Sequence, residues 1–416
     1  MLIKFGDGEV YKSQGVDPVK KICRRCGNNS RKYFYRYYSR FHGSDVTYCL
    51  KCVSIGRSDS VTPLTAVHVE RAVESCRYHL DFDLSDGQKK ASDRVVQALE
   101  NNENLLLYAV TGAGKTEISF EAISLARQRG LNVAFVSPRI DVVKEVYLRL
   151  TAAFKDARID LLYSGVKVAF DHRFTVCTVH QLYNHISHFD LIIVDETDAF
   201  PLPEDSQLMD AILRAATEKS SIILMTATPS KRMINFAGRE NVVTLTRRYH
   251  GYDLAVPEII RGSADRDIQK NRLPETLHML IQNVIAQNRR VLVFVPEISM
   301  MQQLFPLIRE KYPLSASVYS QDHERYLKVD SMRGDETKVL LTTTILERGV
   351  TFENLDVIVL GAEKFNTNSL IQICGRVGRK VDDPTGSIWF MAAHHTGSIR
   401  RTIKIIKSFN KGETAI

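Results

Sequence analysis

The feature that most constrains this chain is AVTGAGKT at 109–116, set between the apolar strand pattern LLLYAV and the amphipathic helical pattern EISFEAISLARQR. A glycine-rich turn from a buried strand into a helix is the setting of a phosphate-binding loop. Gly112 and Gly114 let the backbone curl, so that N–H groups along Thr111, Gly112, Ala113 and Gly114 converge on a phosphate in the field of the following helix. Lys115 supplies a charge to the β and γ phosphates, and Thr116 supplies a hydroxyl to Mg2+. The motif departs from its usual form only in carrying Ala109 at its first position, where a methyl group is tolerated.

About 80 residues on, LIIVDETD at 191–198 is an apolar strand that delivers two adjacent carboxylates at its end. Asp195 suits the Mg2+ shell, and Glu196 suits the positioning of an attacking water. The next apolar run ends in LMTATPS at 224–230, where Thr226 and Thr228 are suited to bond the Asp195–Glu196 segment.

Short apolar strands alternate with longer amphipathic segments through this region, at Leu105–Val110, Val133–Ser137, Phe174–Cys177, Leu191–Val194 and Ser221–Met225. The alternation resumes at Val291–Val295, Ser315–Tyr319, Lys338–Thr342, Val357–Leu360 and Ser387–Phe390, after a loop-like stretch from His250 to Pro274. Strands separated by helices imply doubly wound parallel sheets, so two similar α/β lobes are expected. The division is a four-cysteine zinc-binding domain over 1–60, a helical linker over 61–83 with its helix at Leu64–Arg77, a first lobe over 84–245 and a second over 246–416.

Hydrophobic residues make up 44% and charged residues 25% of the 416, the balance of a globular protein. No apolar run approaches the roughly 20 residues of a membrane-spanning helix. The opening MLIKFGDGEVYKS lacks a secretory signal's apolar core, which points to the cytoplasm. The net charge of +8 is unevenly placed, with ten Lys or Arg between Lys20 and Arg57 against one acid, Asp45, so a polyanionic partner is expected.

Four of the seven cysteines form two CxxC pairs, Cys23/Cys26 and Cys49/Cys52, separated by 22 residues. Four thiolates at that spacing give a closed tetrahedral site, so Zn2+ here should be structural. Cys76, Cys177 and Cys374 read as buried small apolar residues. Between the pairs lies RKYFYRYYSRF, where Arg31, Lys32, Arg36 and Arg40 alternate with six aromatics. Bases stack on rings while phosphates meet cations. About half of the rings should fill the small core of the ribbon.

Taken together, AVTGAGKT, SPRIDV, TVHQL, VDETD, TAT, LERGV and QICGRVGR occur in an order that resembles superfamily 2 helicases and translocases, over residues 84 to 395. The resemblance implies two tandem RecA-like lobes that bind ATP and a nucleic-acid strand. It makes Gln88, in LSDGQ, the reader of adenine. It makes Pro138, Arg139, Ser164, Gly165, Thr178, His180 and Gln181 strand contacts of the first lobe. In the second lobe it makes Thr344, Arg348 and Gly349 strand contacts within a segment that also includes Glu347. Gln372, Arg376 and Arg379 sit at helical spacing, with the two arginines as candidate arginine fingers. Relatives often carry an acid near Thr351.

The ribbon ahead of a compact motor, with ETDAFPLPED after the paired acids and RRYHGYDL before the second lobe, is similar to the ComFA family of naturally transformable Gram-positive bacteria. That resemblance implies an ATPase stimulated by single-stranded DNA that helps import transforming DNA. It also implies ComFC and the ComEC channel as partners, a place at the inner face of the cell membrane, and a possible homo-oligomer. Two other readings stay open here: a primosomal-type replication-restart helicase, and a zinc-ribbon scaffold with weak ATPase.

Overall fold

A computed structural model describes residues 2–5, 12–165 and 172–413. The chain divides into two compact units, Met1–Tyr108 with Lys115–Val243, and Ala109–Gly114 with Thr244–Ile416.

In the first unit, Leu105–Ala109, Val133–Ser137, Phe174–Thr178 and Phe189–Val194 are buried at every residue. Strands apolar on both faces need cover on both, which a parallel sheet flanked by helices gives them. The sheet runs in the order Asp160–Leu162, Phe174–Thr178, Val133–Ser137, Phe189–Val194, Ala216–Thr226, Leu105–Ala109, with Val242–Leu245 at the edge. The first six strands pair in parallel. Val194 lies opposite Leu224, and Thr226 lies opposite Tyr108. The turns after these three neighbouring strands therefore leave from the same edge of the sheet.

The second unit repeats the design with six parallel strands, in the order Glu258–Arg261, Ile388–Ala392, Leu355–Leu360, Arg290–Phe294, Val339–Thr342, Ser315–Val318. Glu258–Arg261 and the helix Asp265–Gln269 fall inside the stretch 250–274 that was expected to be loop. Only four residues long, the strand gives no periodicity of its own; pairing with Ile388–Ala392 makes it a strand.

The helix expected at Leu64–Arg77 does not form. Pro63–His68 is a strand between Leu2–Phe5, which it meets in parallel, and Lys12–Gln14, which it meets antiparallel. LTAVH fits a two-residue period as well as a helical one, and the backbone groups of Leu2–Phe5 need a partner. Residues 69–83 then run without helix or strand along the first lobe. Its side chains and backbone receive the segment: Ser124 Oγ donates to Cys76 O at 2.6 Å, His79 N to Ala153 O at 3.0 Å, and Arg71 pairs with Asp190 at 2.7 Å.

The ribbon is not set apart from the lobe. Its four cysteines, of which Cys49 ends the hairpin Phe34–Ser39 with Ser44–Cys49, share one buried cluster with Leu182, Leu208, Ala211 and Ile212 of the lobe. Cys76, Cys177 and Cys374 are buried as expected. Burial pushes the Cys76 thiol up to about 11 and raises those of Cys177 and Cys374 as well, which keeps all three protonated and inert.

Candidate active site and metal centre

The loop at 109–116 takes the curled backbone that its glycines allow, with φ of 81° at Gly112 and 72° at Gly114. Ala113 N donates to Val110 O at 3.2 Å. Lys115 begins a helix and Thr116 is buried; Ser119 Oγ closes the first turn on Thr116 O at 2.6 Å.

Asp195 follows Val194 at the sheet edge, its N–H on Val136 O at 2.8 Å. Burial pushes its carboxyl up, while Lys115, the Glu196 N–H at 2.8 Å and Arg149 pull it down. The pull from Lys115 brings the loop lysine and the strand-end acid into one electrostatic site. Glu196 holds φ of 51°, a left-handed conformation uncommon for a side chain of its length, and such strain clusters at working sites. Arg149, which motif reading missed, reaches Glu145 at 2.6 Å and Glu117 at 3.5 Å. Its signal was only an ordinary four-residue helix spacing from Glu145.

The threonines of TAT do not grip Asp195 or Glu196. Thr226 Oγ1 donates to Asp198 Oδ1 at 2.8 Å and Thr228 Oγ1 to Asp198 Oδ2 at 2.5 Å. Asp198 lies three residues beyond Asp195, where the chain has turned back along the neighbouring strand, with Thr197 N on Met225 O at 3.1 Å. The fourth residue of DETD is thus the receiver of both hydroxyls.

Gln88 is buried and caps its own helix, Asp86–Asn101: Ser85 N donates to Gln88 Oε1 at 2.9 Å. Pro138 is buried, and Arg139 is the half-buried residue before the helix Ile140–Ala153. Ser164 and Gly165 form an exposed turn. Thr178 and Gln181 are buried, the first just before the short helix Val179–Asn184 and the second within it. Burial holds His180 below its usual value, so near neutral pH it is an uncharged ring rather than a cation for phosphates.

In the second unit, Gln372 lies on the helix Thr367–Cys374, but that helix ends before the arginines. Arg376 and Arg379 stand on the turn that follows, a correction to the helical spacing expected of them. The helix is capped at Gly375, and Gly378, with φ of 63° and Pro384 O at 2.3 Å from where a Cβ would sit, keeps the chain from resuming it before Arg379. Arg376 Nη1 donates to Val350 O, and Arg379 donates to Gly375 O at 3.0 Å and to Thr351 Oγ1 at 3.2 Å. The RRYH segment holds the same turn, with Arg248 Nη1 on Val377 O at 2.6 Å and on Gly378 O. Thr344 is exposed, Glu347 and Arg348 form a buried pair at 3.5 Å, and Gly349 has φ of 72°.

The cysteines meet as their spacing implied. The four Sγ atoms lie within 4.8 Å of one another, with Cys23 to Cys52 at 3.7 Å and Cys26 to Cys49 at 3.6 Å. A disulfide needs about 2.05 Å. Tetrahedral Zn–S bonds of about 2.3 Å set sulfurs about 3.8 Å apart, which these separations fit. Asn28 Nδ2 lies 3.8 Å from Cys49 Sγ and Ser58 Oγ lies 3.5 Å from Cys23 Sγ, in the places of ligand-orienting neighbours.

Beyond them, Tyr35, Tyr38 and Phe41 are exposed, whereas Tyr33, Phe34 and Tyr37 are half-buried; half of the rings were expected to fill the core, and none of the six is fully buried, with Phe34 packed against the cysteine cluster. Arg57 lies over the rings of Tyr37 and Tyr48 at 5.2 and 4.9 Å.

Residues 4–66 match the family described as competence protein ComFA N-terminal domain, residues 81–231 the type III restriction enzyme res subunit, and residues 274–381 the helicase conserved C-terminal domain. Competence protein ComFA of Bacillus subtilis is 34% identical, over 98% of this chain and 90% of that protein. Competence protein ComFA of Streptococcus pneumoniae is also 34% identical, over 94% of this chain and 91% of that one. Among solved structures, S. cerevisiae Dbp5 bound to RNA and ADP BeF3 has the same fold, with a TM-score of 0.58 at 15% identity, over 79% of this chain and 92% of that one. The ribbon, the two RecA-like lobes and this near full-length similarity make the chain a member of the ComFA family, a competence-related, helicase-like ATPase.

Proposed function

We propose that this chain is an ATP-dependent translocase of single-stranded DNA that helps draw transforming DNA across the cytoplasmic membrane. The observation that carries the reading is the union of a ComFA-type ribbon and a loop-and-acid hydrolysis site in one chain nearly as long as its competence relatives.

Lys115 takes the charge of the β and γ phosphates, and Thr116 and Asp195 hold Mg2+, which neutralises phosphate oxygens when bound. Glu196 accepts a proton from the attacking water as the water oxygen bonds to the γ-phosphorus and the bond to ADP breaks. Arg376 and Arg379 meet the charge that develops on the γ-phosphoryl oxygens. Asp198, held by Thr226 and Thr228, links the acidic turn to the next strand end and passes on whether nucleotide is bound. Thr111, Gly112, Ala113, Gly114, Gln88 and Gln372 complete the ATP site, and Cys23, Cys26, Cys49 and Cys52 hold Zn2+.

Pro138, Arg139, Ser164, Gly165, Thr178, His180, Gln181, Thr344, Arg348 and Gly349 face the strand, gripping its backbone without reading its sequence. Tyr35, Tyr38 and Phe41 offer rings to its bases. ComFC, the ComEC channel, self-association and a peripheral place on the membrane come from the family resemblance. Among the described residues no helix is long and apolar enough to cross a membrane.

The test is ATP hydrolysis by the zinc-loaded chain with single-stranded DNA, duplex DNA and RNA at one fixed salt concentration, because phosphate contacts depend steeply on salt. Strongest stimulation by single-stranded DNA is expected. No stimulation by it, or vigorous unwinding of forked duplex, would sink the import reading.

A further inference from the structure

Arg25, inside the first CxxC pair, has no exposed surface, and Asn184, at the end of the turn Val179–Asn184, is 5% exposed. The Arg25 guanidinium donates to Ile55 O at 2.7 Å and to Gly56 O, which closes the ribbon on itself, and also to Asn184 Oδ1 in the lobe. Asn184 Nδ2 then donates to Gln181 Oε1 at 3.1 Å. Two further ties fix the same junction. Arg214 Nη1 donates to Arg25 O at 3.1 Å, and Lys51 Nζ donates to Gln207 Oε1 at 2.5 Å.

An isolated pair of amides can bond either way round, since each has one accepting and one donating end. Arginine has no accepting end. Arg25 can therefore meet only the oxygen of Asn184, which turns the Asn184 NH2 towards Gln181. Gln181 must answer with its oxygen, which leaves its NH2, on a side chain 8% exposed, as the end that Asn184 does not take up. A donor is what a phosphate or a base carbonyl requires.

We propose that Arg25 and Asn184 are positioning residues for strand binding: the metal-bearing knuckle sets the polarity of the Gln181 amide and so the grip of the first lobe on single-stranded DNA. The inference rests on the reading that the Thr178–Gln181 turn contacts the strand. Zinc matters because four thiolates on one Zn2+ carry net negative charge beside Arg25 and Arg214, neither of which has a carboxylate partner among the described residues. The ribbon is then part of the grip itself, in addition to any bases its hairpin holds.

Asn184→Asp separates this from a merely structural role. Aspartate keeps the bond to Arg25 but can only accept, so Gln181 must turn its NH2 inward and present oxygen to the strand. In the full-length, zinc-loaded chain, binding of a fluorescent oligothymidine is measured by anisotropy at fixed salt, alongside zinc content and melting temperature. Asn184→Asp is expected to weaken binding roughly three- to tenfold, with zinc and melting unchanged. Gln181→Ala is expected to lose as much, and the double variant no more than Gln181→Ala alone. Arg25→Gln, whose amide can face either way, should also weaken binding and serves if Asn184→Asp does not fold. Full-strength binding by Asn184→Asp beside a weakened Gln181→Ala would overturn the proposal and leave the strand reading intact. Full-strength binding by Gln181→Ala would remove the strand reading, and the proposal with it. Additive losses, or loss of zinc from Asn184→Asp, would also overturn it.

Discussion

In the first lobe, strands such as Val133–Ser137 and Phe189–Val194 are buried along their whole length, whereas the ribbon hairpin buries Val46, Thr47 and Cys49 and leaves Tyr35, Tyr38 and Phe41 open. The lobe draws its stability from many interchangeable apolar contacts. The ribbon has too few of these, and a region so small relies on a metal or on a neighbour. Its four cysteines, placed so that they could hold a metal, also belong to the lobe's own buried cluster. The two regions differ in what holds them, yet share one core.

Three variants test this division between the two regions. The largest effect is expected for Lys115→Ala, which should slow ATP hydrolysis by roughly a hundred- to a thousandfold by removing the charge on the phosphates. Zinc content should be unchanged, because the lysine acts at the sheet edge; zinc loss in this variant would erase the distinction between the regions.

Cys23→Ser should empty the metal site and lower the melting temperature of the whole first unit by on the order of 5–10 °C, since the vacated cluster is part of its core. Calorimetry that showed an unchanged main transition would mean that the ribbon is a separable appendage after all.

The smallest effect is expected for Thr226→Val, which removes one of two hydroxyls on Asp198. A loss of about 1 kcal/mol should appear as a roughly fivefold fall in kcat at little changed KM for ATP. A fall as large as that of Lys115→Ala would move Asp198 into direct contact with the reacting phosphate.

Much of this was legible in the sequence because it is local. The loop at 109–116, the acids after Val194 and the CxxC pairs each carry their meaning within a few residues, and the parallel strands announce themselves as unbroken apolar runs. What failed was non-local. The choice between helix and strand at Leu64–His68 was settled by the partner strand Leu2–Phe5. The true partner of Thr226 and Thr228 depends on how the chain turns after Glu196. Arg25 looked like one more basic residue in a basic stretch, and only the fold brings it to Asn184, 159 positions away.

The course of residues 69–83 has a mechanical meaning. A ribbon joined to a motor by a loose connection would diffuse through a volume set by the length of that connection, and would catch DNA at an effective concentration that falls as the connection lengthens. With Arg71 on Asp190, Cys76 under Ser124 and His79 on Ala153, the connection has no slack to release. On the proposed function, a strand held by the hairpin aromatics would move together with the first lobe, and any stroke of that lobe would reach the DNA without being absorbed by the connection.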